Sequence, residues 1–381
     1  MKTGTVINAL IVSILIGGVC FGADVSPKQP AESHYSFGES VPLFPTPKIP
    51  GDGACWLDLV AMKDVKGFPF DYALFFATDH ENTGGIWMYV CKGIPTDPKG
   101  WKSYDQAVAD GDFDHIANKP VKNPIFVDKT EGWSTETPTA LVIDGVVHLT
   151  YHNARAGRCQ STLLCTSSDG VNFARVNGKK SSVILDYQGG PGDGHTGYFR
   201  WCKNPFSGVD AKYVGYSLHG GTDRFFMAQW ASNDAKQWKR LKIFKALEGV
   251  PEEDLIMIWH GMCPESIRQI APDEYVVVGT LSIRASGGKA RRQEALDRAK
   301  VKPGRFEIFL GADGATLTRK PRKIPGPETC VEVDGVWYWI SFGNDGGRPC
   351  VMGTTGSFSK EAVRTPELPK NDQTRHFWTG K

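Results

Sequence analysis

The sequence predicts an all-β chain, a five-bladed β-propeller of four-stranded antiparallel blades with a short helical insert in blade four. Three observations carry that reading. First, runs of alternating β-branched and aromatic residues dominate, and helical periodicity is scarce. Second, Asp144-Gly145 and Asp334-Gly335 separate paired apolar runs, the signature of tight hairpins that need positive φ angles. Third, polar strand-start residues recur at Asp58, Glu136, His195, Glu265 and Glu328, at intervals of 78, 59, 70 and 63 residues. A recurrence of that size in an all-β chain implies radially stacked sheets. A pair of β-sandwiches is the alternative.

In chain order, residues 1–22 read as a secretory signal. Lys2 supplies the basic start, Ile7–Val19 the apolar run, and small residues surround Cys20–Ala23. The run is short for a bilayer span. "IGGVC" faintly suggests a lipoprotein box, although Val19 before Cys20 fits it poorly; lipid anchoring is the minority reading. An exported protein is expected, secreted or periplasmic. Residues 23–50 form a Pro-rich N-terminal segment, and 51–381 the propeller.

Blade one reads as Trp56–Met62, Asp71–His80 and Gly85–Cys91. Blade two has "ETPTALVIDGVVHLTYH" (Glu136–His152) and Ser161–Phe173. Blade three opens with "HTGYFRW" (His195–Trp201), then Lys212–Gly221 and Phe225–Trp238. Blade four has Glu265–Arg284 and Phe306–Arg319, and blade five Glu328–Asp345 and Cys350–Phe358. Between the strands of blade four, Arg284–Arg305 carries eight basic residues against Glu294 and Asp297, with Ala290–Lys300 as the short helix. It is a solvated surface helix or, at the channel mouth, a basic lid for an anionic glycan.

The leading 22 residues hold one of 44 basic side chains and none of 42 acidic ones, leaving a nearly neutral mature chain. That gives no case for nucleic acid or a membrane surface as partner. Eight cysteines remain after Cys20, with no zinc-like spacing. They permit disulfides in an oxidising compartment, and buried thiols equally. No cofactor is required; His beside Glu or Asp at the centre could ligate calcium or zinc. Oligomeric state is not encoded legibly.

In a propeller, each innermost strand begins near the mouth of the central channel and the next strand returns to it. The strand starts above therefore meet the strand returns His80 (with Asp79), His152, His219, Arg284 and Asp345. Gathered carboxyl groups perturb one another, so a proton-holding acid and an ionised partner can coexist at neutral pH. Glycosidic cleavage needs such a pair. Asp144 and Asp334 are turn residues, and Asp169 and Asp234 bind backbone in blade turns.

"TSSDGVNF" (Thr166–Phe173) and "ASNDAKQW" (Ala231–Trp238) resemble the S-x-D-G-x-x-W element of the five-bladed propeller glycoside hydrolases of family 43, family 32 and family 117 type. The Glu136–His152 and Asp71–His80 segments resemble their inner strands, and the likeness covers most of Gly51–Phe358. The turns are one residue shorter than the sialidase Asp-box and no arginine triad is evident, so a six-bladed sialidase fits less well. The resemblance implies a secreted glycoside hydrolase acting on a poly- or oligosaccharide. By position, Asp58 matches the general base, with Asp79 competing, and Glu136 matches the residue that orients substrate or tunes the acid. Where blade three should supply the acid Glu, this chain has His195. The acid is then Glu265, or His195 itself as in family 117. Substrate contacts fall to His80, His152, Tyr198, Arg200, His219, Arg284 and Glu328, with Trp56, Trp87, Trp201 and Trp259 as stacking surfaces.

Two other functions remain open. His195, Tyr198 and Arg200 could serve a polysaccharide lyase on a uronate glycan, with Arg neutralising the carboxylate. Strand alternation puts Tyr198 and Arg200 on one face and His195 on the other, which weakens that reading. A non-catalytic glycan-binding propeller is the third.

Overall fold

The computed structural model describes residues 32–47, 54–78, 84–130, 134–154, 160–178, 180–186, 195–220, 225–244, 256–258, 262–284, 304–324 and 328–364. The signal segment, Asp79, His80, Trp259 and the predicted helix Ala290–Lys300 lie outside them, as does the side chain of Arg284. Among the described residues, no helix is long and apolar enough to cross a membrane. The one α-helix there, Tyr104–Ala109, follows blade one.

Five antiparallel sheets succeed one another along the chain. Blade one is Ala54–Ala61, Tyr72–Thr78, Ile86–Cys91 and Trp101–Ser103. Blade two is Glu136–Ile143, Val146–Ala154, Gln160–Ser167 and Val183–Leu185, with Ala174–Arg175 beside its third strand. Blade three is Arg200–Lys203, Tyr213–Gly220, Phe225–Ser232 and Lys239–Phe244. Blade four is Cys263–Ala271, Glu274–Arg284, Gly304–Gly311 and Arg322–Lys323, with Ile256–Ile258 on the far half of its second strand. Blade five is Thr329–Val333, Val336–Asp345, Arg348–Arg364 and, outermost, Glu32–Pro45.

That outermost strand closes the ring. Part of the Pro-rich N-terminal segment thus belongs to blade five, paired from Glu32↔Arg364 to Pro45↔Cys350. Its proline-bearing end suits an edge position, where a missing N–H costs no ladder bond. The buried Glu307 of blade four anchors it: Oε1 accepts from Ser33 Oγ and His34 N, both at 2.6 Å, and from Tyr35 N at 3.0 Å.

Packing confirms the radial order, because each pair of neighbouring blades has its own apolar cluster. Phe75 and Tyr151 lie between blades one and two, and Phe199 and Trp230 between two and three. Tyr216 and Ile308 lie between three and four, Phe309 and Trp339 between four and five, and Leu74 and Ile340 between five and one. Each such side chain contributes about 1.5–3 kcal/mol by leaving water.

The predicted hairpins form at Asp144-Gly145 (φ 50° and 77°) and Asp334-Gly335 (φ 52° and 78°). Asp169 Oδ1 accepts from Val171 N and Asn172 N, and Asp234 Oδ1 from Lys236 N and Gln237 N, as the turn reading expects. Asp313 repeats the pattern in blade four with Ala315 N and Thr316 N.

Candidate active site

A shared irregularity shapes the inner strands. Trp56, Thr137 and Tyr198 all have left-handed backbone, φ 57°, 48° and 55°. In blades one and two the residue sits inside a bulge, between Cys55 and Asp58 and between Glu136 and Thr139. Aligned on it, Asp58 is level with Thr139 and Arg200, while Glu136 is level with Cys55 and Gly197. The five strand-start residues are therefore not one ring: Asp58 lies three residues further from the mouth than Glu136.

The lower level is an ion pair sealed from water. Asp58 is 1% exposed and Arg200 2%. Arg200 Nη1 donates to Asp58 Oδ1 at 3.1 Å and Nη2 to Leu57 O at 2.9 Å, while Ala140 N donates to Asp58 Oδ2 at 2.7 Å. The guanidinium lies 4.4 Å from the centre of the Trp56 ring, a cation–π arrangement.

On the upper level, Glu136 and His152 are cross-strand partners, with His152 Nε2 lying obliquely 3.1 Å from Glu136 Oε2. Thr137 Oγ1 is 2.6 Å from His152 Nδ1. The Thr137 hydroxyl is the hydrogen-bond partner of the imidazole, and Nε2 faces the carboxylate without a well-aligned bond to it. His152 is thus engaged within the protein and buried. His195 and Tyr198 stack, with centroids 5.1 Å apart and planes at 17°. Gly197 N donates to His195 Nδ1 at 3.0 Å, which places the imidazole proton on Nε2. Gly197 is required by close approach, since a Cβ there would lie 2.9 Å from His152 Cγ and from His195 Cε1.

The left-handed turn at Tyr198 overturns the strand alternation expected of "HTGYFR". Tyr198 stacks on His195 and packs against Trp56, while Arg200 is turned down onto Asp58. Arg200 is engaged by Asp58 and Leu57 O and faces the Trp56 ring, against which Tyr198 also packs.

Glu265 borders the lower level from blade four. Burial pushes its carboxyl above the usual range, and the nearby Arg200 charge only partly opposes this. Burial also pushes Asp58 up, with Arg200 opposing and Glu265 adding to the rise. Two carboxyl groups share one guanidinium, so a single proton between them is favoured. Asp58 accepts donors at both oxygens, whereas Glu265 Oε2 meets no hydrogen-bond partner among the described residues.

Glu328 Oε1 lies 3.5 Å from Arg305 Nη2. Burial lowers the Arg305 pKa, with Glu328 opposing and Arg200 adding to the lowering. Sequence reasoning had counted Arg305 among the basic insert residues and missed it here; its spacing from the strand-start Glu residues gave no signal. His219 points elsewhere, 3.5 Å from Arg240 Nη1, and burial lowers its pKa. Trp201 is fully buried between Tyr213 and Trp238 and offers no stacking surface, while Trp87 is half-buried with one face towards Phe76. Among the described residues, no group of three or more His, Cys, Asp or Glu side chains is placed to hold a metal ion.

No family model and no curated protein matches the chain. Solved structures resemble the chain over most of its length. An endo-arabinase from Bacteroides thetaiotaomicron is 8% identical with a TM-score of 0.45, over 86% of this chain and 99% of that one. A family 32 beta-fructofuranosidase of Bombyx mori is 12% identical with a TM-score of 0.48, over 83% and 61%. A thermostable family-43 glycoside hydrolase is 11% identical with a TM-score of 0.45, over 87% and 96%. At such identities the likeness concerns the fold alone.

Proposed function

We propose that the protein is an exported glycoside hydrolase that cleaves a poly- or oligosaccharide in the central depression of the propeller. The observation that carries this reading is Glu265, a carboxyl group pushed towards its protonated form beside the Asp58–Arg200 pair. A carboxylic acid that keeps its proton near neutral pH is what protonation of a glycosidic oxygen requires. Glu136 is the carboxylate partner, oriented by His152, and acts on water or on the anomeric carbon. The His195–Tyr198 stack, with Nε2–H as a donor, is a surface for a sugar ring and its hydroxyls. Asp58 and Arg200 are positioning residues that set the field at Glu265.

The purified protein should be screened against neutral, uronic and sulfated oligosaccharides. Release of new reducing ends without the ultraviolet absorbance of an unsaturated uronate is the expected result. An unsaturated product would mean elimination, and tight binding without product would mean a lectin; either overturns the reading.

A further inference from the structure

Cys263 and Cys330 stand on the inner strands of blades four and five, both fully buried in the same apolar cluster with Tyr35 and Trp339. They are free thiols in the structure, neighbours close enough that Cys263 bears on the Cys330 thiol. Cys263 Sγ also donates to Glu328 O at 2.7 Å, which holds it at the start of the blade-five strand. Other described thiols are partnered differently: Cys91 faces the carbonyls of Lys92 and Ile94, Cys165 that of Leu149, and Cys350 the sulfur of Met352.

From this juxtaposition we infer that Cys263 and Cys330 form a dithiol that closes into a cross-blade disulfide, tying the Glu265 strand to the Glu328 strand. The oxidant is a disulfide donor, as an oxidising compartment supplies. One thiolate attacks the donor, forming a mixed disulfide and releasing one donor thiol. The second thiolate attacks that bond, forming Cys263–Cys330 and releasing the other donor thiol. The two cysteine protons end on the donor thiols, and the two electrons leave with them. Burial pushes the Cys330 thiol well above its usual range, so the exchange belongs to folding, before the blades close. The pair stands whatever the substrate; only an effect on turnover, through Glu265, rests on the hydrolase reading.

The test is non-reducing peptide mapping of the purified protein refolded with a reduced and oxidised glutathione mixture, with N-ethylmaleimide alkylation under denaturing conditions. The expected result is a linked Cys263–Cys330 peptide pair, lighter by two hydrogens, and protection of both residues from alkylation. Reduction should lower the melting temperature by about 5 °C, a shift that Cys263→Ala and Cys330→Ala abolish. Alkylation of both cysteines in the oxidised preparation, or a link to any other cysteine, overturns the inference. Should a variant fail to fold, the wild-type map still decides. A linked pair in a protein that cleaves no glycan would sink the hydrolase reading and leave the disulfide standing; unlinked thiols in an active enzyme would do the reverse.

Discussion

Arg200 of blade three reaches Asp58 of blade one at 3.1 Å, bridging two blades that are not neighbours in the ring. The bridge fixes the floor of the central depression and holds a positive charge beneath Glu265. The energetic logic is strict, because a buried charge that loses its partner is far more costly than a pair removed together.

Arg200→Met should therefore destabilise the protein by about 3–5 kcal/mol, and adding Asp58→Asn should recover a large part of that loss. Urea unfolding of both single variants and the double variant measures the coupling. Additive losses would show that the pair does not act as a unit.

Glu265→Gln should lower turnover by about 10²–10⁴-fold and shift stability in the opposite sense. A carboxyl group whose folded-state pKa is raised contributes stability below its ordinary value of 4.5 and loses it as pH rises through the raised value. The amide has no such loss. The variant should melt at or above wild type at neutral pH, with the gap closing below pH 4.5. A variant markedly less stable than wild type at neutral pH would count against a strained, proton-holding Glu265.

Gly197→Ala pushes a methyl group into both His152 and His195, 2.9 Å from each ring. Overpacking of this kind costs about 1–3 kcal/mol, and the His195–Tyr198 stack must open. Calorimetry and substrate affinity should both register the change, with KM affected more than in Gly335→Ala, where the added Cβ meets nothing.

Asp313 tests the turn chemistry apart from the site. Hydrogen bonds from Thr316 and Ala315 hold its carboxyl down, at about 2 against an ordinary 3.8. The stability it contributes is present above pH 3.8 and is lost as pH falls through about 2. Asp313→Asn should cost about 1 kcal/mol at neutral pH, allowing for solvent screening of a half-buried group. The gap between variant and wild type should close as pH falls through about 2, and a gap that persists unchanged into acid would contradict this.

The blade rhythm was legible because its markers are local: Asp-Gly at hairpins and Asp169 or Asp234 capping a turn through neighbouring N–H groups. The level of each site residue was not. It depends on left-handed backbone at Trp56, Thr137 and Tyr198, bulky or β-branched residues that carry no sequence mark of that conformation. A shift of register at the bulges around Trp56 and Thr137 moved Asp58 below Glu136, and the turn at Tyr198 brought its ring onto His195. Ring closure by Glu32–Pro45 was equally hidden, since its partner lies at the other end of the chain and its prolines look like those of a loop. Arg305 was visible as a charge, but its pairing with Glu328 exists only once two blades meet.

The proton on Glu265 is tested most directly by leaving-group dependence. Turnover of Glu265→Gln should be compared on a natural glycoside and on an aryl glycoside whose acidic leaving group departs without protonation. The expected result is a large loss on the natural substrate and near wild-type cleavage of the aryl one. Equal loss on both would contradict Glu265 as the proton donor.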